Sequence, residues 1–141
     1  MKFDQLVKLY EAKQSGPPYI HVDGAYTKSY FKDPGCTILH REDGPARIWK
    51  NGTKSWWQNN VRHRVDGPAV TRPDGSYEWR LNGIFHREDG PAIMYGNGNK
   101  EYYIHGNYMT EEEYLKKKEV KQEIESHKNN RIDPGMLEDY L

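Results

Sequence analysis

The chain has 141 residues, 35% hydrophobic and 30% charged, with 21 Lys and Arg against 21 Asp and Glu and one cysteine, Cys36. That length suits one domain, and a single cysteine excludes an intramolecular disulfide. Zero formal net charge gives no global field towards nucleic acid or an anionic membrane, so neither a duplex nor a membrane partner is expected.

The first segment, residues 1–16, places Phe3, Leu6, Val7 and Tyr10 at helical spacing and ends before Pro17-Pro18. It predicts a short capping helix. It lacks the apolar run of a signal peptide, and no stretch of the chain reaches membrane-span length; both point to the cytoplasm. Residues 17–38 follow, with His21, Asp23, Gly24 and Ala25 echoing a motif that becomes regular further on. They predict a degenerate first repeat.

Residues 39–108 carry that motif three times. "HREDGPA" at His40, "HRVDGPA" at His63 and "HREDGPA" at His86 open units that align at a period of 23 without gaps. Self-similarity at fixed period is the mark of an array whose units stack. Each unit holds Asn-Gly or Asp-Gly at one place (Asn51-Gly52, Asp74-Gly75, Asn97-Gly98), the strongest signal for a two-residue type I′ hairpin. A second turn follows at Asn59-Asn60, Asn82-Gly83 and His105-Gly106. The runs between, such as "ARIW" and "KSWWQ", read as strands of about four to six residues. The fold class is therefore mainly β: repeated antiparallel hairpins forming a solenoid or twisted sheet, flanked by helices at both ends.

Alternation assigns faces. Aliphatic residues are scarce, but 13% are aromatic, including four Trp and eleven Tyr. The row Trp56, Trp79, Tyr102 is the expected core. Two further rows, Trp49/Arg72/Tyr95 and Trp57/Arg80/Tyr103, mix aromatic and cationic groups. They either stack as cross-strand pairs or present a binding face, since aromatic and Arg residues dominate interface hot spots.

The heptapeptide itself reads as architecture. Asp43, Asp66 and Asp89 each precede Gly-Pro, where an Asx-turn, a permissive Gly and a φ-locked Pro make a fixed corner. Arg41, Arg64 and Arg87 stand two residues before each Asp and can pair with it. His40, His63 and His86 form a ladder. Equivalent strands in successive units have at least one strand between them, so these His lie about 10 Å apart or more. Zinc holds its ligands at about 2.0–2.1 Å, so the ladder predicts no metal site. No phosphate-binding Gly loop or nucleophile elbow appears, and no cofactor is expected.

The last segment, residues 109–141, opens with Thr110 and Glu113 as a capping box. A helix is expected from about Thr110 to about Lys128, mostly charged, with Tyr114, Leu115, Val120 and Ile124 as its apolar residues. It is able to meet a partner or a second copy of the chain. In the tail, Met136, Leu137, Tyr140 and Leu141 are spaced for one apolar stripe.

The unit "HREDGPA…NG…W…NG" over residues 39–108 resembles short repeats of small proteins from tailed bacteriophages and some large DNA viruses. It is similar, more loosely, to MORN-type hairpin repeats; the usual "Y-x-G-x-W" opening is absent and "HRxDGPA" replaces it. The resemblance implies a scaffold or binding module rather than an enzyme. It also implies a phage accessory protein that modulates or inhibits a host protein, including one of host defence. The expected function is thus non-enzymatic binding of a host protein through the repeat sheet. Two alternatives stay open: capture of a small anionic ligand such as a nucleotide between aromatic and Arg side chains, and a hydrolase or nuclease using a His–Asp pair such as His63 and Asp66.

Overall fold

The computed structural model describes residues 2–5 and 17–129. Most of the helix expected over 1–16, and the apolar tail at Met136–Leu141, lie outside the described residues. The chain divides into two compact units, Met1–Tyr108 and Met109–Leu141.

The first unit is built from short antiparallel strands: β1 Tyr19–Val22, β2 Lys28–Phe31, β3 Arg47–Ile48, β4 Lys54–Ser55, β5 Trp57–Gln58, β6 Val61–Arg62, β7 Val70–Thr71, β8 Tyr77–Glu78, β9 Arg80–Leu81, β10 Ile84–Phe85, β11 Ile93–Met94, β12 Lys100–Ile104 and β13 Asn107–Met109. Nine form one sheet in the order β1-β2-β3-β4-β7-β8-β11-β12-β13. The hairpins β5-β6 and β9-β10 stand as two-stranded ladders of their own.

Most strands are two residues long, shorter than the runs in the sequence suggest, because the chain changes ladder midway. The Trp56 N–H donates to Ala69 C=O in the large sheet at 2.8 Å, while its C=O accepts from His63 N–H in the hairpin ladder at 3.1 Å. Trp79 repeats this, donating to Ala92 C=O at 2.7 Å and accepting from His86 N–H at 3.2 Å. One residue therefore satisfies both backbone groups in two different ladders, and the regular strand is interrupted there. In β12 the same stretch runs unbroken from Lys100 to Ile104.

The type I′ turn expected at the first turn site falls at the second. At Asn51-Gly52 only the glycine has positive φ (91°), as do Gly75 (85°) and Gly98 (89°). The glycine N–H bonds back three residues, Gly52 to Trp49 C=O at 3.0 Å, and the Asn51 side chain accepts from Thr53 N–H at 2.9 Å. That is a type I turn closed by a left-handed glycine, not type I′. The second turns carry the double positive φ: Asn59 49° and Asn60 65°, Asn82 49° and Gly83 81°, His105 49° and Gly106 79°. They are the tight, type I′-like ones.

Register fixes the faces. One row runs Arg47↔Ser55↔Val70↔Glu78↔Ile93↔Glu101, with Ser29 beside Arg47. The next residue along each strand gives the opposite face: Lys28, Ile48, Lys54, Thr71, Tyr77, Met94 and Lys100. Ala46, Ala69 and Ala92 share that second face and are fully buried, as the sequence row of small residues requires. Beside them, Tyr102 is buried, whereas Trp56 and Trp79 are only half-buried. An Arg guanidinium lies over each Trp ring, Arg64 over Trp56 and Arg87 over Trp79.

Tyr30 makes the same contacts as Trp56, donating to Ala46 C=O at 2.7 Å and accepting from His40 N–H at 3.1 Å. His21, by contrast, lies within β1, and Asp23 Oδ1 accepts from Ala25 and Thr27 N–H at 2.9 Å to make the β1–β2 turn. The His21–Ala25 echo thus forms a hairpin turn and not the heptapeptide corner; the extra residues around Asp33 shift the register.

The second unit holds a helix, α1, over Glu111–Asn129. Thr110 Oγ1 accepts from Glu113 N–H and the Glu113 carboxylate accepts from Thr110 N–H, both at 3.1 Å, the reciprocal box the sequence predicts. Leu115 and Ile124 are about half exposed and nine positions apart, which puts them about 180° around the helix. They do not make the single apolar stripe that side-by-side helix pairing needs. No described helix is long and apolar enough to cross a membrane.

Candidate binding face

The heptapeptide side chains close on one another. Arg41 Nε donates to Asp43 at 3.0 Å, Arg64 to Asp66 at 3.2 Å and Arg87 to Asp89 at 3.0 Å. Each Arg also reaches the carbonyl of its own Pro: Pro45 at 3.1 Å, Pro68 at 3.2 Å and Pro91 at 3.2 Å. Each guanidinium lies over an aromatic ring of the preceding strand: Arg41 over Tyr30 at 3.9 Å, Arg64 over Trp56 at 4.0 Å, Arg87 over Trp79 at 4.2 Å. The glycine must be there: a Cβ on Gly67 would stand 2.7 Å from Arg64 Cζ. The His ladder is equally committed. Nδ1 of His40, His63 and His86 accepts from the backbone N–H of Asn59 (3.1 Å), Asn82 (2.9 Å) and His105 (2.9 Å). So His63 is engaged by Asn82 and Asp66 by Arg64, on separate partners. No three His, Cys, Asp or Glu side chains among the described residues are placed to hold a metal ion.

A cavity of about 760 Å³ lies between the first two corners, against Arg41, Asp43, Trp56, His63, Arg64 and Asp66. Its Arg, Asp and His groups are those already bonded above, and Gln58 Nε2 donates to Arg41 C=O at 2.9 Å. The cavity is thus walled by satisfied groups.

The opposite face differs. There the rows Trp49/Arg72/Tyr95 and Trp57/Arg80/Tyr103 come together, one on each side of Ser55, Glu78 and Glu101. Trp57 Nε1 donates to Ser55 Oγ at 2.6 Å. Arg80 donates twice to Glu78 Oε1, at 3.0 Å and 2.7 Å, and Arg72 bonds Glu78 Oε2. Tyr95 and Tyr103 donate to the two oxygens of Glu101, each at 2.9 Å. The partners match their centres: one indole on the Ser55 hydroxyl, two guanidiniums on the Glu78 carboxylate, two phenols on the Glu101 carboxylate. Donation to the Glu101 carboxylate, and then burial, raise the Tyr95 and Tyr103 hydroxyl pKa values. Burial pushes the Glu78 carboxyl up, but hydrogen bonds and charge from Arg80 and Arg72 outweigh it and hold the group below its ordinary value.

Arg62, a residue the sequence rows did not single out, completes this face. It pairs with Trp57 in the β5-β6 hairpin and its guanidinium stands 5.2 Å from the Trp57 ring. Its Nε is buried with no hydrogen-bond partner. Burial pulls its pKa down; Glu78 opposes this, while Arg80, Arg72 and Arg47 add to it. Four guanidiniums thus share the field of one nearby carboxylate. Arg80 lies 3.7 Å over Phe85, Phe85 is 5.1 Å from Tyr103, and Tyr103 is 5.6 Å from Tyr108. The signal for Arg62 was its place just before His63, which Phe85 occupies before His86; only the pairing, Arg62 with Trp57 and Phe85 with Arg80, showed that both join the 57/80/103 row.

Comparison with family models, with curated proteins and with solved structures finds no match for the chain. What stands is the architecture: mainly β, antiparallel hairpins in a large sheet, with a C-terminal helix.

Proposed function

We propose that the chain is a non-enzymatic binding module, an array of MORN-like hairpin repeats that engages a host protein through the face bearing the Trp, Arg and Tyr clamps. Its resemblance to phage repeat proteins supports an accessory protein that modulates or inhibits that host target. The observation that carries this reading is the asymmetry of the two faces. On the heptapeptide side, corner groups are bonded to each other or to backbone. On the other side, Arg62 keeps an unmet donor among Arg47, Arg72 and Arg80, with Trp49, Trp57 and Tyr95 alongside, a mixture suited to interface hot spots.

The experiment is affinity capture of the tagged chain from bacterial host lysate, with mass spectrometry of what is retained. Beside it run Trp49→Ala/Arg72→Ala/Tyr95→Ala on the clamp face and Lys54→Ala/Lys100→Ala on the opposite face. The expected result is one dominant protein, lost with the first variant and kept with the second. Retention unchanged by the clamp-face variant, with its circular dichroism intact, would overturn the reading.

A further inference from the structure

We propose that Arg62, flanked by Arg47, Arg72 and Trp57, is a carboxylate-recognition site, and that the partner contributes an acidic side chain to it; this rests on the binding-module reading above. The argument begins with donor accounting. A buried N–H without an acceptor is rare in a folded protein and costs about as much as a lost hydrogen bond. Arg62 Nε is such a group. The other Arg residues of this face have acceptors: Arg47 Nε donates to Ser29 Oγ at 3.2 Å, Arg72 to Glu78, and Arg80 to Glu78 and to Gly83 C=O at 2.8 Å. Arg72 and Arg80 share the Glu78 carboxylate and Arg47 has a neutral hydroxyl, but Arg62 has no bonded acceptor at all among the described residues.

Charge reinforces the point. Glu78 is held by Arg72 and Arg80 and already takes three guanidinium bonds. It acts on Arg62 through charge but makes no hydrogen bond to it. A second carboxylate would bring this face a Trp-flanked guanidinium with a carboxylate bound to it, the arrangement Arg72, Arg80 and Glu78 form within the chain. Arg62 Nε itself is buried, so a partner's carboxylate meets the terminal N–H groups of the guanidinium, which match it in two parallel bonds. Carboxylate is favoured over phosphate because the face supplies separate side-chain forks and no loop of converging backbone N–H groups, which phosphate sites commonly use. The Trp57 ring lies 5.2 Å from the Arg62 guanidinium, an apolar neighbour beside the charge.

The test is a nuclear magnetic resonance titration of the full chain with hexaglutamate peptide, following the Arg62 Nε–H and Trp57 indole N–H signals. Adenosine triphosphate is titrated in parallel. Saturable shifts of both signals with hexaglutamate are expected, weakened about tenfold or more in Arg62→Gln, the worth of one charge-assisted hydrogen bond. Arg62→Lys keeps the charge without the fork and is expected to fall between. An Arg62 signal that does not move with hexaglutamate, equal binding by Arg62→Gln, or a response to the triphosphate alone would each overturn the assignment. If Arg62→Gln does not fold, the wild-type Arg62 signal still decides. The two proposals fail separately. Capture that survives Arg62→Gln but not the clamp-face variant removes this site and leaves the module; saturable peptide binding without any captured host protein removes the module and leaves the site.

Discussion

Replacing Glu78 with Gln removes a charge and almost nothing else. The side chain is 10% exposed, between Arg80 at 19% and Arg72 at 39%. Gln keeps an acceptor for Arg80 but makes it neutral, and leaves Arg72 and Arg80 without their bonded anion. Hydrogen bonds to charged groups contribute about 1.5–3 kcal/mol, and stripping the partner from a buried charge costs about 3–5 kcal/mol. Arg72 is exposed enough for solvent to screen its share to about 0–1 kcal/mol. The expected loss is therefore about 2–4 kcal/mol, or a Tm lower by roughly 8–16 °C at about 4 °C per kcal/mol. Urea unfolding followed by Trp fluorescence reads it directly, since all four Trp residues lie in the repeats. Acid gives a second reading. The folded Glu78 carboxyl lies below its ordinary value of 4.5, so its contribution is complete above about pH 4.5 and is lost as pH falls through the folded value. Wild type and Glu78→Gln should then differ by a constant amount near neutral pH and converge in acid. A variant within about 0.5 kcal/mol of wild type at neutral pH, the scatter of ordinary surface substitutions, would refute the clamp reasoning. So would a gap that persists undiminished in acid.

Further outcomes follow from the other face. Ala69 is fully buried between the Trp56 and Trp79 strands, so Ala69→Leu should lose about 1–3 kcal/mol by overpacking in the same urea assay; a neutral result would mean the Ala row has room. A double-mutant cycle on Trp56 and Arg64, 4.0 Å apart, should give a coupling of about 0.5–2 kcal/mol, and additivity would show the stack contributes nothing. Thr110→Ala should cost α1 about 1 kcal/mol, read as faster amide exchange in its first turn with the sheet amides unchanged. Uniformly faster exchange in both units would contradict a local capping role.

Much of this was legible in the residues. The period of 23, the corner built on Asp43, Asp66 and Asp89, and the capping box at Thr110 all rest on local chemistry, and local chemistry can be read one residue at a time. The turns were located correctly but typed wrongly, because Asn-Gly is compatible with both a type I′ turn and a type I turn closed by glycine; strand spacing decides between them. Trp56 and Trp79 were expected in the core because they are large and apolar, yet Arg64 and Arg87 cover them from the next corner, a contact between residues eight apart that no periodicity announces. Two binding rows were picked out separately, Trp49/Arg72/Tyr95 and Trp57/Arg80/Tyr103. That they grip Glu78 and Glu101 between them depends on cross-strand geometry. Arg62 escaped notice because its significance lies in an acceptor it lacks, and a missing partner can be seen only once every neighbour is placed.

The most direct test of the central claim, that the clamp face and not the opposite one meets the partner, is photocrosslinking in host lysate. A benzoylphenylalanine at Arg72 would report the clamp face, and one at Lys54 the opposite face. The account predicts a discrete crosslinked species from position 72 and none from position 54. The reverse pattern, or a species from 54 alone, would contradict it.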